Sequence, residues 1–332
     1  MKNIIIFGAT GNIGAYFIDY CINNLDLSEY HVIAVGRKDT DFFQKNGIDY
    51  VRVDLLRDED FSKLPQENVY AIVNLAGVLP AYSEQNDPFT YVETNVKGSL
   101  RILEYARKTG ADRVIYTQTW AEMAGYWGKK KTLSPDLPRK LLYRGDHAVY
   151  SITKCAVVDL MEYYKQEFGI KNFVFRLPNI YLYSPQKYYY VDGEKKPIAY
   201  RYIIDRAMEG KEIEIWGNPS AFKDIIYVKD LCKMMFLSLF AQTDGGTYNA
   251  GTGIKTTLKK QIEGIVKVFC PENCKSVIIN KPEKPTFTSF VMDIKKAKKE
   301  LGYTPDYDYI SYLKDYKKEA ELKRFDELWT KA

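Results

Sequence analysis

The sequence contains little histidine and little cysteine, and both are scattered. Two histidines and five cysteines stand among 332 residues, and an odd number of widely spaced cysteines argues against a disulfide framework. Cys270 and Cys274 have the spacing of metal ligands, but no second pair follows them, so we predict no metal site. The other cysteines fall in apolar helical patterns and are expected in the core: Cys21, Cys155 and Cys232.

Long apolar runs are also absent, and neither sign of charge dominates. No stretch approaches the roughly 18–20 apolar residues that cross a bilayer. The apolar run at 4–7 breaks at Gly8 and is too short for the hydrophobic part of a signal peptide. The net charge of +5 is too small to predict nucleic-acid binding, although it suits an anionic substrate. We therefore expect a cytoplasmic protein without membrane or nucleic-acid partners.

The first apolar strand leads into a glycine-rich turn at 8–14, which is followed by an apolar helix. A strand that turns sharply into a helix needs unusual backbone angles, and a pyrophosphate must approach such a turn closely, so both requirements favour glycine. The N–H groups and the dipole at the start of the helix favour phosphate. The turn therefore predicts dinucleotide binding by Gly8, Thr10, Gly11, Asn12, Ile13 and Gly14.

The end of the second predicted strand bears on which dinucleotide binds. An acidic residue there would bond to the ribose 2′-hydroxyl and repel a 2′-phosphate. This chain has Gly36, followed by Arg37 and Lys38. A missing carboxylate with a guanidinium beside it favours NADP over NAD. Alternatively, Arg37 stacks on the adenine.

Short apolar runs alternate with helical patterns through the first half of the chain, which predicts an α/β fold with a doubly wound parallel sheet. After about residue 178 the chain becomes rich in Tyr, Lys and Pro, which predicts an irregular segment that covers a ligand. We predict a Rossmann domain at 1–180 and 222–254, and a smaller mixed α/β substrate lobe at 181–221 and 255–332. The predicted strands are 4–7, 31–35, 50–53, 71–75, 114–117 and 173–176, and the main helices are 13–23, 91–109 and 149–168.

The G-x-x-G-x-x-G spacing resembles the extended short-chain dehydrogenase/reductase superfamily, in its nucleotide-sugar-modifying NAD-dependent epimerase/dehydratase family. Later segments continue the resemblance over essentially the whole chain. The resemblance implies that Asp54 and Leu55 lie by the adenine ring. It also implies that the loop after the fourth strand and a following helix contribute to the cofactor site through Leu75, Ala76, Gly77 and Asn95.

Tyr150 and Lys154 are predicted to be catalytic and to contact the cofactor. Residues four apart share one face of a helix, so the phenol and the ammonium can meet the same substrate oxygen. Lys154 and a positively charged nicotinamide would lower the pKa of Tyr150 from about 10 towards the working pH. Tyr150 could then exchange a proton with a hydroxyl during hydride transfer. The alternative is a surface tyrosine, since the chain contains 28 tyrosines.

The family's third catalytic partner is a Ser or Thr at the end of the fifth strand, and the resemblance places Thr119 there, with Thr117 as the alternative. Nucleotide-sugar 4,6-dehydratases have an Asp-Glu pair directly after this residue. This chain has Trp120 and Ala121, so 4,6-dehydration is disfavoured. Glu122 could substitute only if the loop were rearranged.

On the substrate side, the segment 176–181 resembles the family's R-x-x-N-x-Y-G-P motif, which implies that Asn179 touches the substrate diphosphate. Lys223 stands where an Arg usually grips the diphosphate, and an ammonium loses the fork geometry of a guanidinium. Arg201 and the tyrosines at 188–190 lie where the family's lobe folds over the sugar nucleotide, although aromatics equally fill cores.

Together these features imply a nucleotide-sugar epimerase in which Tyr150 deprotonates a sugar hydroxyl while NAD(P)⁺ transiently takes the hydride. A 4-keto-sugar or other carbonyl reductase would use the same residues, and Arg37 favours it because reductases draw on NADPH. A non-catalytic NADP(H)-sensing protein is the third alternative, against which the intact Tyr150–Lys154 pair argues. The resemblance also implies a homodimer formed through the helices at 91–109 and 149–168.

Overall fold

A computed structural model describes residues 1–272 and 276–330 of the chain. Cys274, considered above with Cys270, lies outside the described residues. The strands are β1 (Lys2–Phe7), β2 (Tyr30–Gly36), β3 (Asp49–Arg52), β4 (Val69–Asn74), β5 (Arg113–Thr119), β6 (Thr132–Leu133), β7 (Lys171–Leu177), β8 (Ile180–Tyr181), β9 (Tyr188–Val191), β10 (Glu194–Pro197), β11 (Ile213–Trp216), β12 (Phe222–Lys223), β13 (Ile226–Tyr227), β14 (Gly245–Asn249), β15 (Thr256–Thr257), β16 (Ile278–Lys281) and β17 (Val291–Met292). The α-helices are α1 (Asn12–Asn24), α2 (Phe42–Lys45), α3 (Pro88–Tyr91), α4 (Gly98–Thr109), α5 (His147–Phe168), α6 (Ala199–Met208), α7 (Val228–Ser238), α8 (Leu258–Phe269), α9 (Lys295–Leu301), α10 (Tyr309–Leu322) and α11 (Asp326–Trp329).

Seven parallel strands form the main sheet in the order β14-β7-β5-β4-β1-β2-β3. The chain moves outward from β1 through β2 to β3, then returns to β4 on the other side of β1. In open sheets of this kind ligands bind beyond the carboxyl ends of the strands where the order reverses. The doubly wound α/β fold is confirmed, and the switch point lies between β1 and β4.

The central strands are buried on both faces, which explains their continuous apolar sequences. In β1, Ile4 and Ile6 pack into the core that includes residues of α1 and α7, whereas Ile5 packs into the core that includes residues of α4 and α5. All six predicted strands are present. The sequence analysis missed the edge strand β14, and the predicted helix at 91–109 contains a π-helical stretch, Val92–Lys97, before α4.

The rest of the chain forms short two-stranded sheets and helices beside the main sheet. They include the antiparallel hairpin β9–β10 and the parallel pair β11–β16. The segment before α11 returns to the large sheet, where Phe325 packs on Tyr16 of α1 with ring centres 5.0 Å apart. The division into two domains stays a prediction.

The cysteines expected in the core, Cys21, Cys155 and Cys232, are buried. None of the helices in the described ranges combines the length and the apolar character that a membrane span needs. Within those ranges, no group of three or more His, Cys, Asp or Glu side chains is arranged to hold a metal ion.

Candidate active site

The turn between β1 and α1 is built from backbone packed on backbone. Gly8 has a φ of +83°, and a Cβ placed on it would lie 2.6 Å from the carbonyl carbon of Leu75. A Cβ on Gly14 would lie 2.1 Å from the carbonyl oxygen of Gly8. These distances exclude a side chain at both positions, because the atoms in the way belong to the main chain. The predicted need for glycine therefore has a direct structural cause.

The first turn of α1 is left without side-chain caps. Gly11 is the N-cap residue and supplies no side-chain hydrogen bond, and the turn that Asn12 and Ile13 begin carries no acidic residue. Its N–H groups and the positive end of its dipole are the groups that bind phosphate. Thr10 lies beside the end of β2, with its methyl 3.3 Å from a Cβ placed on Gly36. The residues at this turn fit a dinucleotide pyrophosphate.

The end of β2 offers a cation and no carboxylate. A Cβ on Gly36 would lie 3.0 Å from the hydroxyl of Tyr50, which donates a 2.6 Å hydrogen bond to the carbonyl oxygen of Lys38. The Lys38 ammonium donates to the carbonyl oxygen of Leu328 at 2.8 Å. The Arg37 side chain is exposed and makes no hydrogen bond or ion pair with any described residue. Of the two predicted cations, Arg37 is therefore the one available to a ligand.

Asp54 and Leu55 directly follow β3 and lie near the start of α4. The Asp54 N–H donates to the Asp60 carboxylate at 2.8 Å, and the Asp54 carboxylate accepts from the Leu56 N–H at 3.0 Å. Leu55 packs against Gly98, where a Cβ would lie 3.1 Å from the Leu55 Cβ. These contacts fix the backbone beside the carboxyl end of β3, the edge at which the adenine is expected.

Asn95 acts on the loop after β4. Its buried amide accepts from the Val78 N–H at 2.8 Å and donates to the Val78 carbonyl oxygen at 3.1 Å. A Cβ on Gly77 would lie 2.9 Å from the Asn95 amide oxygen. The Leu75 N–H bonds to Phe7 of β1, which sets the Leu75–Ala76 peptide against the glycine turn. The structure therefore brings this predicted group together, with Asn95 holding the loop.

Tyr150 and Lys154 are both buried on α5, with 8% and 6% of their surfaces exposed. The Lys154 ammonium lies 3.9 Å from the centre of the Tyr116 ring, a cation–π contact. Burial lowers the pKa of Lys154 to about 7. Burial also raises the pKa of Tyr150, and the neighbouring Tyr82 and Tyr91 raise it further. The protein groups thus shift the Tyr150 pKa in the opposite direction to the one predicted from the sequence.

Thr119 ends β5, and Thr117 lies two residues earlier on the same face of the strand. Both are 9% exposed. The Thr119 hydroxyl oxygen accepts from the Ala121 N–H at 3.2 Å and so begins the 3₁₀ turn Trp120–Tyr126. Accepting this bond leaves the hydroxyl proton of Thr119 available for donation.

Glu122 is 2% exposed and is held inside the protein by cations. Arg176 bonds to one of its oxygens, and the Nε of Arg139 lies 3.4 Å from the other. Gln118 donates to the second oxygen at 3.2 Å. The Glu122 carboxylate is therefore already paired with two arginines inside the protein, which is consistent with the prediction that it would replace the acidic pair only if the loop were rearranged. In place of that pair, Trp120 packs on Trp127 with ring centres 4.5 Å apart.

The predicted substrate residues differ in exposure and in the contacts of their side chains. Asn179 is exposed just after β7 and makes no side-chain hydrogen bond with a described residue. Lys223 lies on β12 with its ammonium 4.3 Å from the Phe287 ring centre, and burial lowers its pKa. Arg201 is buried and donates to the carbonyl oxygen of Ser184 at 2.7 Å. Arg201 is therefore held inside the protein, whereas Asn179 and Lys223 form no hydrogen bond or ion pair through their side chains within residues 1–272 and 276–330.

Tyr82 is a further candidate site residue, which the sequence analysis did not name. Its hydroxyl accepts a 3.3 Å hydrogen bond from the side-chain amide of Asn12, the first residue of α1. It is also close enough to influence the pKa of Tyr150. One indication of its role was present in the sequence, namely that Tyr82 lies in the loop at 79–85 after the fourth strand. The conformation of that loop could not be predicted from the sequence.

Residues 4–251 match the NAD dependent epimerase/dehydratase family. The chain is 25% identical over 317 residues to a protein of Methanocaldococcus jannaschii named putative UDP-glucose 4-epimerase, covering 92% of this chain and 94% of that one. It superposes on UDP-glucose 4-epimerase of Thermotoga maritima, solved with UDP-glucose, with a TM-score of 0.76, 21% identity and coverage of 97% and 99%. It also superposes on UDP-glucuronic acid 4-epimerase of Bacillus cereus, solved with NAD, with a TM-score of 0.72, 21% identity and coverage of 99% and 100%.

Proposed function

The chain belongs to the NAD dependent epimerase/dehydratase family, and from that premise we propose that it is a nucleotide-sugar epimerase with Tyr150 as its acid/base. The observation that carries the proposal is the buried pair Tyr150 and Lys154 on α5. The missing acidic pair after Thr119 and the internal bonding of Glu122 argue against dehydration. UDP-glucose is the first substrate to test, because proteins similar to this chain are named for it.

In the proposed mechanism, the glycine turn and the first N–H groups of α1 hold the pyrophosphate of the cofactor, and Tyr150 and Lys154 meet its nicotinamide end. When bound, the nicotinamide would supply the redox chemistry by accepting a hydride from a sugar carbon and returning it to the other face of the resulting keto sugar. Tyr150 takes the proton of the sugar hydroxyl and later gives it back. The Thr119 hydroxyl, whose proton is free, donates to the same sugar oxygen.

Lys154 supports the ionised form of Tyr150 in this proposal. Because burial lowers the Lys154 pKa to about 7, the lysine is charged at neutral pH most readily when an anion lies beside it. A phenolate one helical turn away is such an anion. The positive charge of an oxidised nicotinamide would act in the same direction and would offset the burial that raises the Tyr150 pKa.

The test is to incubate the purified protein with UDP-glucose and NAD⁺ or NADP⁺ and to identify the product sugar by NMR. We expect an epimer with no net change in reduced cofactor. Tyr150→Phe should lower kcat by about 10²–10⁴-fold, the range of general acid–base catalysis. If Tyr150→Phe turned over at the wild-type rate, the acid/base role of Tyr150 would be wrong. If the wild type bound NADP(H) but turned over no nucleotide sugar, the NADP(H)-sensing alternative would be favoured.

A keto-sugar reductase is the second candidate, and the free guanidinium of Arg37 beside Gly36 favours it, because both features favour NADPH. Steady consumption of NADPH with a 4-keto sugar would establish it. The cofactor preference has its own test, the affinity of Arg37→Ala for NADP⁺ and for NAD⁺. We expect NADP⁺ to bind at least tenfold more weakly to the variant, with NAD⁺ unchanged.

We also propose a homodimer formed through α4 and α5. These helices expose apolar side chains that a partner would cover: Leu100, Ile152, Tyr163 and Phe168. Light scattering should report a dimer for the wild type, and Ile152→Glu should weaken it. A wild-type monomer would contradict the proposal.

A further inference from the structure

Tyr82 ends a single 3₁₀ turn, Pro80–Tyr82, in the loop that follows β4. More than half of the residue, 55%, is exposed, yet its hydroxyl is hydrogen-bonded to the first residue of α1. The bond runs from the Asn12 amide nitrogen to the Tyr82 oxygen over 3.3 Å. The phenol thus reaches from the loop to the turn that is proposed to hold the cofactor phosphates.

The direction of this bond leaves a donor unused. An amide NH₂ group only donates, so the Tyr82 oxygen accepts, and its own proton remains free. No described residue accepts that proton. After burial, Tyr82 has the largest effect on the pKa of Tyr150, and it raises that pKa. The two hydroxyls are not hydrogen-bonded to each other. A ligand oxygen between the two phenols could accept from Tyr82 and exchange its proton with Tyr150.

The hairpin β9–β10 ties the Tyr82 loop to the catalytic helix. Tyr190 donates from its hydroxyl to the Glu84 carboxylate at 2.6 Å, and the Asp192 N–H donates to the Asp146 carboxylate at 3.0 Å. Asp146 directly precedes α5, which carries Tyr150. The hairpin turn, with φ of +49° at Asp192 and +78° at Gly193, has the two left-handed residues of a tight type I′ turn. The hairpin therefore spans the loop of one phenol and the helix of the other.

We propose that Tyr82 is a substrate-binding residue that donates a hydrogen bond to an oxygen of the sugar at or beside the carbon that is oxidised. The inference rests on the proposed function and names one of its specificity determinants. A donor at this position suits both forms of the reacting group, because a hydroxyl and a carbonyl oxygen each accept a hydrogen bond. Tyr82 thereby favours sugars that carry an oxygen there over deoxy sugars.

The test compares Tyr82→Phe with Tyr30→Phe, using calorimetry on the protein saturated with NAD⁺ and titrated with UDP or UDP-glucose. Tyr30 is the first residue of β2, so it lies at the amino ends of the parallel strands, away from the carboxyl ends where the candidate site lies. Its hydroxyl bonds to no described residue. We expect Tyr82→Phe to bind UDP as the wild type does and UDP-glucose about three- to tenfold more weakly, the cost of one hydrogen bond. Tyr30→Phe should bind both normally, and the melting temperatures verify folding.

The outcomes separate the two proposals. If the wild type binds UDP-glucose more tightly than UDP and Tyr82→Phe keeps that preference in full, the role of Tyr82 is wrong and the proposed function stands. If Tyr82→Phe weakens UDP and UDP-glucose equally, the phenol acts on the nucleotide part and the sugar contact is wrong. If the wild type binds neither probe and turns over no nucleotide sugar, the proposed function is wrong, and the inference about Tyr82 falls with it.

Discussion

The glycine turn at 8–14 is held by main-chain atoms in contact with each other, whereas the loop at 79–85 is joined to the hairpin β9–β10 and to α1 by side-chain hydrogen bonds at the surface. In the turn, a methyl group on Gly14 would overlap the Gly8 carbonyl oxygen. Around the loop at 79–85, the bonds between Tyr190 and Glu84 and between Tyr82 and Asn12 are exposed. One side of the candidate site therefore tolerates almost no substitution, and the other can change side chains without changing the fold.

This difference indicates which side of the candidate site can change its residues between family members. A dinucleotide presents the same pyrophosphate whatever the substrate, so a rigid backbone cradle suits it. Sugars differ in the position of hydroxyl groups, and side chains on loops can be exchanged to match them. The largest and smallest effects expected from mutation should follow this division.

The largest effect is expected for Gly14→Ala. Its Cβ would lie 2.1 Å from the Gly8 carbonyl oxygen, so the turn or α1 must move. We expect a lower melting temperature and NAD(P)⁺ affinity reduced beyond detection in a calorimetric titration. Gly169→Ala is the control, since Gly169 has a φ of +71° with nothing within 4 Å of its Cβ. Gly169→Ala should lower the free energy of unfolding by about 1–2 kcal/mol and leave the cofactor affinity unchanged. If Gly14→Ala bound NAD(P)⁺ as tightly as Gly169→Ala, the contrast between the rigid turn and the loop would be wrong.

The next effect is expected for Glu122→Gln, beside the site but inside the core. Removing its charge leaves Arg176 buried without its counter-ion, which should lower the free energy of unfolding by about 3–5 kcal/mol. Asp159→Asn removes an exposed partner of Arg139 and should cost less than about 1 kcal/mol. Urea unfolding measures both, and equal losses would show that burial of the pair has no consequence.

A pH effect of intermediate size is expected at α7, which packs on α1 through the rings of Phe236 and Tyr20. Burial raises the pKa of Asp230 to about 6. The folded protein thus holds this proton more tightly than the unfolded chain, whose aspartates titrate near about 3.9. Stability should fall as pH rises from about 4 to 6, by at most about 1.4 kcal/mol per pH unit.

Asp230→Asn should abolish this part of the pH dependence, as measured by urea unfolding at several pH values. Asp308→Asn is the control of opposite sign. The backbone and hydroxyl of Ser311 lower the Asp308 pKa, so its contribution is present above the unfolded pKa and lost as pH falls. Identical pH profiles for both variants would contradict the assignment.

The smallest effect is expected for Tyr190→Phe, on the proposed substrate side. Removing its exposed bond to Glu84 should change stability by less than about 1 kcal/mol and weaken UDP-glucose binding only about two- to threefold. Cofactor affinity should not change. Tyr188→Phe in the same hairpin is the control, because the Tyr188 hydroxyl makes no hydrogen bond with a described residue. A loss of cofactor binding in Tyr190→Phe would break the division between the two sides.

Local sequence determined the parts of this protein that depend on neighbouring residues. The apolar runs predicted six strands of the sheet, and the turn at 8–14 predicted the cradle, because steric limits on the backbone act within a few residues. The spacing of Tyr150 and Lys154 likewise follows from one helix. The roles assigned to these side chains stay predictions until they are tested.

Tertiary structure alone decided which distant groups meet. The bond between Tyr82 and Asn12 joins positions 70 residues apart, and the pairing of Glu122 with Arg176 joins positions 54 residues apart. The edge strand β14 is likewise defined by its pairing with β7. Periodicity and spacing carry no information on such contacts, because they arise only when the sheet brings the ends of separate strands to one edge. The glycine turn could therefore be predicted from the sequence, and the surroundings of Tyr150 could not.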